Sequence, residues 1–515
     1  MAGSPRRPPN VLLVMSDQHH AGIMGCAGDR VAITPNLDRL AEGGTRFPNA
    51  YCTYPLCAPS RMSFLTGRHP HELGLFDNEG HLGSDIPTLA HAFLSAGYDA
   101  VLSGRMHFVG PDQRHGYRDR IVGDVAESAY SGAGLRLERI LGDLADTPGM
   151  GLAGVIKSGP GRTGYHAYDE AVTRATVRWL GERGRGDHDR PFLLTVGYVA
   201  PHCPFVSPPD DFRAHRDSIG YADLPPPDDH LHPVNAAKRG RWSIDPPPPR
   251  DAQWRSRVAY YGLCTFLDRQ VGTILTALAE SGLREHTIIV YCSDHGEMLG
   301  EHGMWWKSTF YDGASRVPLI MSWPGHVPAG QVRAENVSLL DLGPTLLDLC
   351  GVDALPGASG TSFRGLLTGD DTSWKNTAWK DTAIAEHTER GSPVACRMVR
   401  SGGWKLNYYH GLAPELFQMQ EDPGETTDLA GSTRHRDVER RLTDLALLDW
   451  NPDDIAARMQ RRSEELSLIG TWERTARPPE PDPPWFSGTL ENRVDTDVTG
   501  LLLDSPGGPG DHRQL

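Results

Sequence analysis

Apolar residues in this chain gather into short unbroken runs and into longer stretches with helical spacing. Residues 10–16, 100–103, 192–199 and 287–293 are aliphatic runs bounded by polar or turn-forming positions. A strand covered on both faces reads as such a run and not as an alternation, so each is expected to be a buried parallel strand. Residues 317–322 add another. Helical spacing fills the intervals. Residues 34–44 carry Thr34 as N-cap, Pro35 at the first position and glycine at the end. Residues 85–97 place Leu89, Ala92, Phe93 and Ala96 on one face, and residues 165–180 repeat through Tyr168, Val172, Ala175 and Trp179. Residues 254–282 form a long helix, and 337–351 a Leu-rich one. This succession predicts an α/β fold with a large, mostly parallel sheet between helices.

Two stretches carry little pattern. Residues 112–164 are Gly-rich with one amphipathic piece at 135–144. Residues 204–249, with runs of three and four prolines, read as a structureless segment, either a functional lid or disordered. A change of composition over 360–379 marks a boundary, giving a catalytic domain at 1–372 and a C-terminal subdomain at 373–515. In the latter, residues 396–400, 404–408 and 415–418 alternate like a short antiparallel sheet turning at Gly402-Gly403. A charged helix is expected over 434–448. The Pro-rich tail after Arg477 reads as an arm or as partly disordered, and copies of the chain could associate through it.

Composition narrows the function. The 515 residues carry a net charge of -15, which argues against nucleic acid, because phosphate binding needs a basic face. A small anion responds to the local field and stays open. The eight cysteines (26, 52, 57, 203, 264, 292, 350 and 396) show no CxxC pair, as expected for reduced thiols. The polar N-terminus and the short run at 11–15 do not make a signal peptide, and no run reaches the ~20 apolar residues of a membrane span. A cytoplasmic protein without a membrane partner is expected.

The strands end in chemistry. Asp17 and Gln18 follow the first, Arg105 and His107 the second, His202 the third, and Asp294 and His295 the fourth. One polar residue after a strand is ordinary loop chemistry. Four such ends fit one site, because ligands of open α/β sheets bind beyond the carboxyl ends of the strands. Asp17, Gln18, Asp294 and His295 form a mostly oxygen donor set that suits Ca²⁺ or Mg²⁺, with Mn²⁺ admitted by the imidazole and no tetrahedral zinc set evident. Cys57 opens the stretch Cys57-Ala-Pro-Ser-Arg61. Pro59 in a first helical turn and Gly67 as a stop put Cys57 at a helix N-terminus, where a dipole favours anions. A reactive thiol and a buried structural one are both open on that ground.

The string Cys57-Ala-Pro-Ser-Arg61 followed by Leu65-Thr-Gly-Arg68 resembles the signature of the formylglycine-dependent (type I) sulfatases, in the alkaline-phosphatase-like superfamily. Phe76-Asp-Asn78, residues 103–117 and the string from Asp294 to Lys307 are similar to its choline sulfatase and phosphonate monoester hydrolase branch. The resemblance implies an alkaline-phosphatase-like mixed sheet and hydrolysis of a small-molecule or sugar sulfate ester. It implies that Cys57 is oxidised by a separate formylglycine-generating enzyme to an aldehyde whose hydrate is the nucleophile. A divalent metal, calcium first, would be held by Asp17, Gln18, residue 57, Asp294 and His295. Arg61, Lys307 and Asn78 would grip the sulfuryl oxygens, with Arg105 as a further substrate cation where the family commonly has lysine. His202, with Lys307, would protonate the leaving alcohol, and His107 would take the proton that lets sulfate depart. A phosphonate monoester or phosphodiester hydrolase and a silent anion-binding homologue are the alternatives. Glu386 is a candidate substrate contact or a plain loop carboxylate, and Trp305 and Trp306 are expected to pack.

Overall fold

The run at 10–16 is apolar throughout because both of its faces are covered. In the computed structural model, which describes residues 8–110, 112–124, 150–186, 189–226, 231–369, 379–389 and 392–476, it is the central strand of an eight-stranded sheet. The strands are β1 (Asn10–Ser16), β2 (Thr45–Arg46), β3 (Asp99–Gly104), β4 (Asp119–Val122), β5 (Phe192–Gly197), β6 (Thr287–Ser293), β7 (Leu319–Ser322) and β8 (Gln331–Val332). Their order is β8-β2-β7-β6-β1-β5-β3-β4. β6, β1, β5, β3 and β4 run parallel, and β7 is antiparallel to both β6 and β2. In register, Val11 lies between Ile288 and Leu193, so the strand ends that carry polar residues share one edge.

Successive residues of β1 enter opposite cores. Val11, Leu13 and Met15 pack with Met62, Phe64, Leu89, Phe93 and Leu342, from α2 (Cys57–Thr66), α3 (Leu89–Ser95) and α6 (Leu339–Cys350). Leu12 and Val14 pack with Leu37, Tyr168, Val172, Phe266 and Val271, from α1 (Pro35–Glu42), α4 (Gly164–Arg185) and α5 (Arg250–Glu280). The result is a helix–sheet–helix sandwich, as expected.

Some elements differ from their pattern. Residues 204–249 are not structureless, since they hold the helices Pro209–Arg216 and Pro233–Arg241. Pro209 and Pro233 open these helices, where a missing N–H costs nothing, and Phe212, Ile219 and Ile244 are buried with the α5 residues Val258 and Leu263. The 317–322 run is split at Pro318: Arg316–Val317 pairs with residues 50–51 in a separate three-stranded sheet. Thr34 stands at the N-cap of α1, but its hydroxyl turns to Asp38 and the Gly25 amide. α3 is shorter than the 85–97 pattern suggested.

The C-terminal part is an antiparallel meander of β9 (Thr382–Glu389), β10 (Ser392–Ser401), β11 (Trp404–Tyr409) and β12 (Glu415–Gln418). β9 was not expected, nor was α8 (Pro452–Ala476), which follows the charged helix α7 (Arg436–Leu447). Ala383, Ala385 and Met398 share a core with Tyr51 and Phe310, while Val399, Leu406 and Leu416 pack on Leu442 and Ala446 of α7. The boundary expected at 372/373, the amphipathic piece at 135–144 and the tail after Arg477 lie outside the described residues.

Candidate active site

The shared strand edge brings the expected residues together. Strand ends are stitched to one another: the Asp294 amide donates to Ser16 O, and the Asp17 amide to Ala200 O at 3.4 Å. β3 and β5 approach so closely that a Cβ on Gly197 would lie 1.7 Å from Arg105 O. Only glycine fits there, and the close approach turns Arg105 into the site. α2 points its N-terminus at the same edge. Pro59 lies in its first turn, and Gly67 ends it with a left-handed φ of 66° and an amide on Ser63 O. Ser60 Oγ donates to Asp294 O at 2.6 Å, fixing the helix to β6.

Cys57 sits at the centre and is 1% exposed. Its Sγ lies 3.2 Å from His295 Nε2, 3.1 Å from Lys307 Nζ and 3.6 Å from Asp17 Oδ1. Burial alone would raise the thiol, but Lys307 and His295 outweigh it and bring it well below its ordinary value. Burial and Cys57 also push Asp17 up, yet Arg105, His202 and Lys307 hold its carboxyl below the usual range. Lys307 Nζ reaches Gln18 Oε1 and His202 Nε2, both at 2.9 Å.

One oxygen or nitrogen each from Asp17, Asp294 and His295, with the Cys57 sulfur, lie within 4.8 Å of one another, and all four residues are buried. His295 Nε2 stands 3.6 and 3.7 Å from the Asp17 and Asp294 Oδ1 atoms. Those separations are too long for hydrogen bonds and suit donors spread around a shared cation. His295 Nδ1 donates to Gly296 O at 2.9 Å, which leaves the Nε2 lone pair for a metal, the usual arrangement for a ligating imidazole. Two carboxylates and an imidazole fit a divalent cation. Gln18 lines the same space, with its amide oxygen held by Lys307 and its nitrogen donating to Glu297 at 2.5 Å.

Three residues take positions different from those expected of them. Arg61 is wholly buried, and its donors go to Asp294 at 2.7 Å, Asp17 at 3.2 Å, Arg105 O and Ser16 O. It braces the two carboxylates from behind. Arg105 Nε is likewise engaged, with Asp17 at 2.7 Å, while Nη2 meets His107 Nδ1 at 3.1 Å. A guanidinium only donates, so His107 accepts at Nδ1 and carries its own proton on Nε2. Its ring is also among the groups that lower the Cys57 thiol. Asn78 Oδ1 accepts from the Ala58 amide at 2.9 Å, capping α2 beside residue 57.

Three further carboxylates, Glu297, Asp124 and Asp169, support the site without having been singled out. Glu297 is fully buried and accepts from the Leu299 and Trp306 amides as well as from Gln18. Its signal was its place in the string Asp294-His-Gly-Glu297. Asp124 and Asp169 hold the loops of His107 and His202. Glu386 lies on β9, 3% exposed, committed to His71 at 2.7 Å and Arg397 at 3.3 Å. Trp305 and Trp306 pack with Phe205 and Tyr260, as expected.

A family model described as Sulfatase matches residues 9–352, the span that builds this site. The chain belongs to the sulfatase family. A second family model, N-sulphoglucosamine sulphohydrolase, C-terminal, matches residues 300–449. A choline-sulfatase of Rhizobium meliloti (strain 1021) is 32% identical over 466 residues, 86% of this chain and 87% of that protein. An arylsulfatase of Clostridium perfringens (strain 13 / Type A) is 29% identical over 83% of this chain and 92% of its own length. In fold, the sulfatase resembles the phosphonate monoester hydrolase of Agrobacterium radiobacter, with a TM-score of 0.68 at 23% identity over 88% of this chain and 96% of that one. The hydrolase of Silicibacter pomeroyi gives 0.67 at 24%, over 86% and 95%. The mixed, mostly parallel sheet with a small antiparallel sheet after it is thus the alkaline-phosphatase-like fold of sulfatases.

Proposed function

We propose that this sulfatase hydrolyses a small organic or sugar sulfate ester with residue 57 as nucleophile, after conversion of Cys57 to formylglycine by a separate enzyme. The observation that carries the reading is the convergence on Cys57 of the Asp17–Asp294–His295 donor set on one side and the Lys307–His202 pair on the other. A formylglycine hydrate supplies a nucleophilic oxygen, and a divalent cation, calcium first, supplies positive charge to lower its pKa and to offset charge on the sulfuryl oxygens. Asp17, Asp294 and His295 would hold that cation. Gln18 completes the surroundings and orients Lys307.

The chain's own groups divide the remaining work. Lys307 is buried, and although burial opposes its charge, Cys57 and Asp17 keep it raised above its ordinary value. It is the cation facing the sulfate, and it shares a proton with His202 Nε2 at 2.9 Å. The Asn78 amide adds a neutral donor. His202 Nε2, beside Lys307, hands its proton to the departing alcohol oxygen. His107, fixed by Arg105, donates a hydrogen bond to residue 57 and steadies oxyanion character there.

A reducing, cytoplasmic setting is part of the reading, supported by eight free cysteines. So is self-association through the segment after residue 476, which truncation there followed by native-mass measurement tests. The test of function is a panel of aryl and alkyl sulfates run beside an aryl phosphonate, for the intact protein and for Asp294→Asn. Sulfate esters should be the better substrates, and Asp294→Asn should lose bound metal together with activity. Preferred cleavage of the phosphonate, or full activity in verified metal-free protein, would sink the reading.

A further inference from the structure

His202 is carried by a loop that another element holds. Val199 and Ala200 follow β5, and their amides donate to a single carboxylate, Asp169 of α4, at 2.9 Å to Oδ1 and 2.8 Å to Oδ2. Asp169 is fully buried. It lies in the helix between Tyr168 and Val172, both of which enter the apolar core. Burying a carboxylate there costs free energy and serves no packing purpose. Two charge-assisted bonds to successive amides offset the cost and fix the direction of the chain two residues before His202. Asp169 and His202 line one small cavity with Tyr165 and Phe266. The loop of His107 uses the same device, with the Met106 and His107 amides both on Asp124 Oδ2, at 2.9 and 2.6 Å.

We propose that Asp169 is a positioning residue for leaving-group protonation, holding the 199–200 peptide so that His202 Nε2 meets Lys307 beside residue 57. The inference rests on the role given to His202 above. An asparagine at 169 keeps the shape but turns an N–H toward one of the two amides, so the loop must shift.

Steady-state kinetics on nitrophenyl and alkyl sulfates test this for Asp169→Asn, His202→Ala and the double variant. His202→Ala is read first. If its loss is the same for both leaving groups, the role of His202 fails and the proposal fails with it. With that role intact, Asp169→Asn should lower kcat on alkyl sulfates on the order of 10²-fold, the cost of a misplaced catalytic group. Nitrophenyl sulfate turnover should stay near that of the unsubstituted enzyme, and adding the substitution to His202→Ala should cost little more. Equal losses on both substrates, or full additivity in the double variant, would overturn the proposal. Asp169→Ser, which keeps one acceptor, provides a second variant. If neither folds, the carboxylate serves the fold and not the histidine, and the proposal is wrong.

Discussion

His202 Nε2 and Lys307 Nζ face each other at 2.9 Å, and His202 Nδ1 is committed to Cys203 O at 2.6 Å, so one proton lies between the two side chains. That shared proton is the one His202 Nε2 hands to the alcohol. His202→Ala should lower kcat on alkyl sulfates by about 10²-fold or more and leave nitrophenyl sulfate much less affected, since nitrophenolate departs unaided. Comparing the two substrates under saturating conditions checks it, and a uniform loss would remove the acid role. The residue types at this site were legible because a polar residue just past a buried parallel strand has one place to go. Their partners were not. Arg61 reads as a substrate cation in a motif, yet its guanidinium is spent on Asp17 and Asp294, the latter 233 positions away. The acceptor state of His107 depends on Arg105, and Asp169 looks like an ordinary polar residue of a helix until the fold sets β5 against it.

At the scale of elements, α2 was readable from Pro59 and Gly67, because both act through backbone geometry local to the sequence. β9 was not, since its alternation is short and its pairing with β10 is what makes it a strand. Its value to the site is mechanical. Glu386 on β9 accepts from the His71 amide at 3.0 Å and from His71 Nδ1, pinning the turn that follows α2. Burial alone would raise this carboxyl, but the His71 hydrogen bond and Arg397 bring it down to about 2. A depressed acid stabilises the fold above its unfolded pKa, and that contribution is lost as pH falls through the folded value. It should therefore be present near neutrality, amount to ~3 kcal/mol, and disappear between about pH 5 and pH 2. Burial pushes His69 down to about 4, which adds acid sensitivity in the same direction. Denaturant titrations of the native chain and Glu386→Gln across this range should show a stability gap that closes on acidification. A gap independent of pH would contradict the assignment.

Across the whole molecule, the C-terminal sheet is joined to the catalytic core by buried charge. Lys405 of β11 is fully buried and lies 2.7 Å from both Asp312 and Glu425, while Asp312 follows the segment that carries Lys307. Lys405→Met leaves Glu425 without its buried cation, with Asp312 held by Arg316, and should destabilise the protein by about 3–5 kcal/mol, read as a fall in denaturation midpoint. Loss of under about 1 kcal/mol would mean the pair is screened as a surface ion pair is. The folded chain also constrains maturation. Cys57 is buried beneath its own site, so on the proposed reading an oxidising enzyme would have to reach it before the fold closes. Mass spectrometry of the tryptic peptide from Phe47 to Arg61 therefore tests the central claim, with the protein made in the presence or absence of a formylglycine-generating enzyme. Co-produced, active protein should yield a peptide lighter by the difference between H₂S and O and reactive toward hydrazide probes, with sulfate release proportional to its abundance. Enzyme added only after folding should produce no such peptide. Undiminished sulfate ester hydrolysis by protein whose residue 57 is entirely unmodified cysteine would contradict the claim.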